Sequence, residues 1–155
     1  MIRSWRIVHK QHADKAFDGQ GAYLFGGRWN HPGVHIVYTA ASVALATLEA
    51  LVNGVHPQQI ENYIRISVDF PESVLTSVDV DSLPADWKTA PAPDSTRAIG
   101  QRWAKKALSA VLCVPSAVVV DEVNYLINPL HTNFAQVHIG RARRYRFDAR
   151  LLQRD

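Results

Sequence analysis

Cysteine is almost absent from this chain. The single one, Cys113, lies in the apolar run Val111-Leu112-Cys113-Val114. That excludes a disulfide framework and a Cys-based zinc site, and it reads as a packed thiol in a reducing, cytoplasmic setting. Long hydrophobic runs are missing too. The longest, Val111 to Val120, is interrupted by Pro115-Ser116 and is too short to span a bilayer. Met1 to Arg6 carries two arginines with no apolar stretch after them, so neither export nor membrane insertion is expected. The seven histidines form no ligand set: His31 and His35 have helical spacing, but Pro32-Gly33 between them breaks a helix. No metal is expected. Gly19-Gln20-Gly21 is only a fragment of the glycine fingerprint that holds a resident dinucleotide. Ser116 lacks the Gly-x-Ser-x-Gly elbow of a hydrolase nucleophile.

What is present fits one domain. The 155 residues are 47% hydrophobic, enough for a single sizeable core over 1–155 without a linker. The net charge of +3 is unevenly spread: Arg141 to Asp155 holds six arginines against two aspartates, leaving the other 140 residues at −1. Such a segment can meet nucleic acid, an acidic protein or a phosphorylated ligand, or it can be a solvated strand that aids solubility. Presented as a basic strand, Arg141, Arg143, Arg144 and Arg146 would suit a nucleic-acid-binding regulatory module.

The patterning gives a mixed α/β domain with several short strands and two main helices. Trp5 to Val8 reads as a strand. The glycines of Asp18-Gly19-Gln20-Gly21 and Gly26-Gly27 mark a loop whose backbone approaches a ligand or a packed neighbour. Val34 to Tyr38 alternates like a strand, and Ala40 to Val52 reads as a helix capped by Thr39 or Ser42 and closed at Asn53-Gly54. Asn62 to Phe70 alternates cleanly, with Ile64, Ile66, Val68 and Phe70 on one face. Leu83 to Asp94, with three prolines, reads as an exposed loop; Asp94 then caps a helix to about Ser109 with Ile99, Trp103 and Ala107 inside. Further strands are expected at 111–114, 117–120, 134–139 and 145–147.

Between Arg28 and Glu61 the only Asp, Glu, Lys or Arg is Glu49. Its helical neighbours are Leu45, Ala46, Val52 and Asn53, so the carboxylate sits on a largely apolar face. Either the polar stripe is narrow, or the carboxylate has a partner that offsets its burial. Arg28 follows Gly26-Gly27, where a guanidinium fork on a close-approaching turn suits phosphate or carboxylate recognition. Tyr38 offers a flat ring with a hydroxyl, for packing or for a ligand. Asn124 and Asn128 serve equally as turn residues or pocket lining, and Ser116 as a turn serine.

Five blocks stand in a specific order and spacing along nearly the whole chain: Trp5-Arg6; Gly19-Gln20-Gly21-Ala22 leading to Gly26-Gly27-Arg28-Trp29-Asn30; Val37-Tyr38-Thr39-Ala40 with Ala46-Thr47-Leu48-Glu49; Val114-Pro115-Ser116; and Asn124-Tyr125-Leu126-Ile127-Asn128-Pro129 with His131. In that order and spacing they resemble the RES-domain family of bacterial toxins. The family's arginine, glutamate and serine fall on Arg28, Glu49 and Ser116; Tyr38 and Arg6 match a further tyrosine and arginine. Thr132 departs from the pattern, since many members have proline there.

The resemblance implies an ADP-ribosyltransferase-like fold and degradation of NAD by phosphorolysis, hydrolysis or ADP-ribose transfer to protein. NAD would be substrate, not cofactor, with inorganic phosphate a candidate co-substrate. Arg28, Tyr38 and Glu49 would be catalytic, and Arg6, Arg28, Tyr38, Ser116 and Asn128 would bind NAD. The implied partner is an Xre-type antitoxin that covers the active site in an oligomeric complex, with DNA reached only through it.

Overall fold

A computed structural model describes residues 1–153. In chain order the elements are β1 (Ile2–His9), α1 (Gln20–Phe25), β2 (Val37–Ala40), α2 (Val43–Asn53), β3 (Tyr63–Phe70), β4 (Leu75–Ser77), α3 (Asp94–Lys105), β5 (Val111–Pro115), β6 (Val123–Ile127), β7 (His138–Ile139) and β8 (Arg143–Tyr145). The eight strands form one sheet in the order β4-β5-β6-β2-β1-β3-β7, with β8 also on β3. All pairs are antiparallel except β4 with β5. The two longest helices are α2 and α3, as the patterning suggests.

The clean alternation at 62–70 becomes β3, with Ile66, Val68 and Phe70 buried. It joins Val37, Val111 and Ile127 in one core cluster. A second cluster packs Trp29, Ile36, Leu112, Val114 and Leu126 against Trp103 of α3. Helix α2 starts later than expected: Ser42 is its cap, its Oγ accepting the Leu45 N–H at 3.0 Å, while Thr39 lies inside β2. Gly54, at φ 98°, follows its last residue, the stop the Asn53-Gly54 pair suggests.

Several expectations need correction. The stretch from Asp18 to Gly27 is not all loop, because Asp18 Oδ1 accepts the Gln20 N–H at 2.8 Å and starts the six-residue α1. The strand expected over 34–38 begins only at Val37. Its partner β6 ends at Ile127, just before Asn128-Pro129, so the buried Val34 and Ile36 keep their alternation without a ladder. At 117–120 there is a turn, not a strand, since Ser116 Oγ takes the N–H groups of Val118 and Val119, both at 3.1 Å. Helix α3 stops at Lys105 and the chain reverses through Ala107, which is exposed at φ 49°; the buried face is Thr96, Gly100 and Trp103. Asp94 does not cap α3; it belongs to the first turn and lies 3.7 Å from His31. The strand expected over 134–139 shrinks to β7 because His131 caps a 3-10 turn over Thr132–Gln136. Thr132 is the first residue of that turn, a position that suits proline equally. The last strand is Arg143–Tyr145 rather than 145–147, and Phe147 is fully buried behind it.

The basic segment is peripheral. Arg143 and Arg144 are exposed on β8, Arg146 pairs with Glu61 at 3.0 Å, and Arg150 with Asp148 at 2.9 Å. Arg154 lies outside the described residues. No described helix is long and apolar enough to cross a membrane.

Helix α3 is pressed directly onto the Arg28-Trp29 turn. A Cβ on Gly100 would stand 2.2 Å from the Trp29 carbonyl oxygen and 2.9 Å from the Trp29 Cβ. Backbone cannot yield as a flexible side chain does, so Gly100→Ala is expected to destabilise the fold by about 1–3 kcal/mol, the usual cost of overpacking. Chemical denaturation checks this, and an unchanged midpoint would contradict the contact.

Candidate active site

Strands β1 and β2 share a single registered pair, Trp5 with Ala40, whereas β1 follows β3 along its entire length. Where the β1–β2 ladder stops, a cleft of about 610 Å³ opens, lined from both strands by Trp5, Arg6, Ile7, Tyr38, Thr39 and Ala40. Buried hydroxyls of Ser4 and Thr39, 2.8 Å apart, hold the two strands at the junction. Arg6 Nη1 donates to the Tyr38 carbonyl at 2.9 Å, giving that oxygen a donor where the two strands part.

Glu49 lies on the α2 wall of this cleft. Its Oε1 accepts from Ser116 Oγ at 2.9 Å and from Asn124 Nδ2 at 2.7 Å. The apolar helix face is therefore not an accident of a narrow polar stripe: the carboxylate has two donors, from the β5–β6 turn and from β6. Ser116 is itself 4% exposed and does not line the cleft. The two N–H groups it accepts fix its hydroxyl so that its proton points at Glu49. The serine orients the carboxylate.

Tyr38 crosses the floor. Its hydroxyl donates to Asn30 Oδ1 at 2.6 Å and accepts the Trp29 N–H at 3.1 Å. A Cβ on Gly27 would lie 2.6 Å from that hydroxyl, so the glycine makes room for the ring. Burial pushes the hydroxyl well above the ordinary tyrosine range; the Trp29 N–H and the charges of Arg97 and Arg28 pull the other way. Tyr38 is thus a neutral hydroxyl, not a base.

Arg28 lines the cleft, but its Nη1 donates to the carbonyls of Trp87 and Thr89, at 2.9 and 2.8 Å. The 83–94 loop is accordingly strapped down, with Trp87 packed 6.1 Å from the Trp29 ring. Its Pro91 and Ala92 reach the cleft. Arg6 has a buried Nε with no partner among the described residues, and desolvation pulls its guanidinium down to about 10, with Asp18 acting against this. Of the expected site residues, Arg6, Arg28, Tyr38 and Glu49 come together and Ser116 stands behind Glu49. Asn128 does not join them: it is buried away from the cleft, its Oδ1 taking the Leu130 N–H at 3.0 Å to shape the turn at Pro129. Sequence reasoning missed Arg97 and the strap; no local pattern marks either.

A chain of this architecture has known relatives. The RES domain family model matches residues 3–148. "Toxin Res" of Photorhabdus laumondii subsp. laumondii is 38% identical over 152 residues, 96% of each chain. A Sphingobium sp. protein named "Prs ADP-ribosylating toxin" is 36% identical over 155 residues, 97% of this chain and 96% of the other. Among solved structures, the M. tuberculosis MbcT-MbcA toxin-antitoxin complex matches with a TM-score of 0.74 at 19% identity, covering 96% of this chain and 85% of that one. The chain therefore shares its fold with a chain of that complex. The chain belongs to the RES-domain toxin family.

Tyr38→Phe removes one hydroxyl but leaves the Trp29 N–H and the fully buried Asn30 Oδ1 unmatched. It should lower stability by about 1–3 kcal/mol, the cost of stranding buried polar groups. Urea denaturation of the two proteins reads this; equal midpoints would show that water reaches the pair.

Proposed function

We propose that this chain is an NAD-consuming toxin that cleaves the bond between nicotinamide and ribose. The observation that carries the proposal is Glu49: a carboxylate facing a cleft, oriented by Ser116 and Asn124, with the arginines Arg6, Arg28 and Arg97 among the other lining residues. Nicotinamide departs from a cationic ring as a neutral molecule, taking the electron pair of the breaking bond, so the leaving group needs no proton. What needs stabilising is positive charge on the ribose, and a preorganised carboxylate supplies it. The ribose carbon then bonds to water, inorganic phosphate or a protein side chain, which loses its proton.

In this reading Glu49 faces the ribose and Tyr38 packs against the ribose or nicotinamide. Arg6 and Arg28 bind phosphate groups. Ser116 and Asn124 are positioning residues that act through Glu49. Their bonds to one oxygen, Oε1, turn the other oxygen toward the ligand. A second reading, transfer of ADP-ribose to a protein, is favoured by the name of the Sphingobium relative. The toxin would be neutralised by an antitoxin of the Xre type seated over the cleft in an oligomeric complex, and would meet DNA only through it. Support comes from the toxin-antitoxin pairing of the structural neighbour and from Val52 and Val118, cleft-lining residues that stay 67% and 36% exposed.

Glu49→Ala should abolish NAD loss while its far-UV circular dichroism stays native; consumption at the wild-type rate would sink the assignment. Ser116→Ala should lower kcat on the order of ten- to a hundred-fold with a smaller change in KM, as expected when a charge-assisted hydrogen bond that orients the carboxylate is lost. Product analysis with and without phosphate separates the acceptors. Soluble ADP-ribose or its phosphorylated form means hydrolysis or phosphorolysis, and label fixed on protein means transfer.

A further inference from the structure

Arg97 takes no part in any hydrogen bond or ion pair described above, yet it lines the cleft from the first turns of α3. Its Nε is buried with no partner among the described residues. It is half-buried and close enough to Tyr38 for its charge to act on that hydroxyl, as Arg28's does. A surface arginine on a helix normally finds water or a carboxylate for each N–H. Holding a guanidinium N–H dry and unmatched costs stability unless something arrives to accept it. The nearest carboxylate on its own helix, Asp94, points outward: its side chain is 92% exposed, beside His31. Glu49, the one carboxylate among the described residues that line the cleft, is held by Ser116 and Asn124 at the Ala40 end of β2.

We infer that Arg97 is a phosphate-binding residue, and that it receives the pyrophosphate of the dinucleotide. The inference rests on the NAD reading of the same cleft and adds an orientation to it. The nicotinamide ribose lies at the Glu49 end, and the chain of the ligand runs past Tyr38 to the wall where Arg97 and Arg28 stand. Arg28 has already committed Nη1 to the Trp87 and Thr89 carbonyls, so Arg97 carries the freer fork. An inorganic phosphate that attacks the ribose carbon would instead have to stand beside Glu49, away from Arg97. A pyrophosphate has acceptor oxygens on two phosphorus atoms and two negative charges, and it matches a planar guanidinium better than any single-point anion.

The test measures binding of three probes to wild-type, Arg97→Gln and Arg97→Lys proteins by calorimetry: ADP-ribose, inorganic pyrophosphate and nicotinamide riboside, which has no phosphate. ADP-ribose and pyrophosphate should bind Arg97→Gln about ten- to a hundred-fold more weakly, the loss expected for charge-assisted hydrogen bonds. Arg97→Lys should recover part of it. Nicotinamide riboside should bind all three alike. Arg97→Gln should melt no lower than wild type, because it removes a poorly solvated charge, and that check separates lost binding from lost folding.

Undiminished binding of ADP-ribose to a folded Arg97→Gln protein overturns the assignment. So does an equal loss for nicotinamide riboside, which would mean a general disturbance of the cleft. If ADP-ribose binding is intact but phosphate-stimulated NAD turnover is lost, the anion is inorganic phosphate and the orientation is wrong. If wild type binds pyrophosphate through Arg97 but neither binds ADP-ribose nor consumes NAD, the anion site stands and the NAD reading fails. If wild type binds none of the probes, both fail.

Discussion

Strand β1 commits fully to β3 and almost not at all to β2, and the remainder of the molecule is organised around that imbalance. Ile2 to His9 pair residue for residue with Phe70 to Tyr63, but the only register with β2 is Trp5 to Ala40. A sheet that continued regularly would have closed the space between them. The split leaves backbone groups and two strand faces available, and Arg6 bridges the gap to the Tyr38 carbonyl with its side chain. Packing α2 against β1 and β2 on one side of the split, and setting the Arg28 turn and α3 on the other, turns a defect in a ladder into a cleft with two different walls.

Those walls have opposite electrostatic character. One carries Glu49, whose carboxylate is partly matched and aimed. The other carries the arginines, some of whose donors are dry and unmatched. The unmatched donors do not favour the folded state of the empty protein. Buried polar atoms without partners are rare in native structures because each costs on the order of 1–3 kcal/mol. Here Arg6 Nε, Arg97 Nε and Asn124 Oδ1 fall close to one cavity. Acceptors or donors that reached these three atoms would offset that cost.

Much of this was legible from the residues, and the limits are physical. The β3 alternation and the α2 stop at Gly54 were readable because period and capping act over a few residues. Glu49 stood out because charge is so scarce around it. Arg97 did not, since an arginine in a polar helix is indistinguishable from a solvated one until α3 is seated on Trp29 through Gly100. The same holds for the 83–94 loop, which composition marks as exposed but which Arg28 ties down from some sixty positions away in the chain. At 117–120 the β-branched residues favoured a strand, but the Ser116 hydroxyl captured two backbone N–H groups and made a turn. Asn128, plausible as a pocket residue from its motif, turned out to serve the backbone around Pro129.

Glu49 also shows when, in the life of a chain, the site comes to exist. Its two hydrogen-bond donors lie 67 and 75 residues further on. Two residues before it on α2, Thr47 shares a hydrogen bond with Tyr145 of β8, 98 residues away. Contacts so distant in sequence form late, because the intervening chain must be made and its loop closed before they contribute. A growing chain that has already extended α2 from the ribosome therefore has its carboxylate but nothing to aim it. The cleft takes its final geometry only after residues beyond Asn124 have been made and β6 has closed on β2.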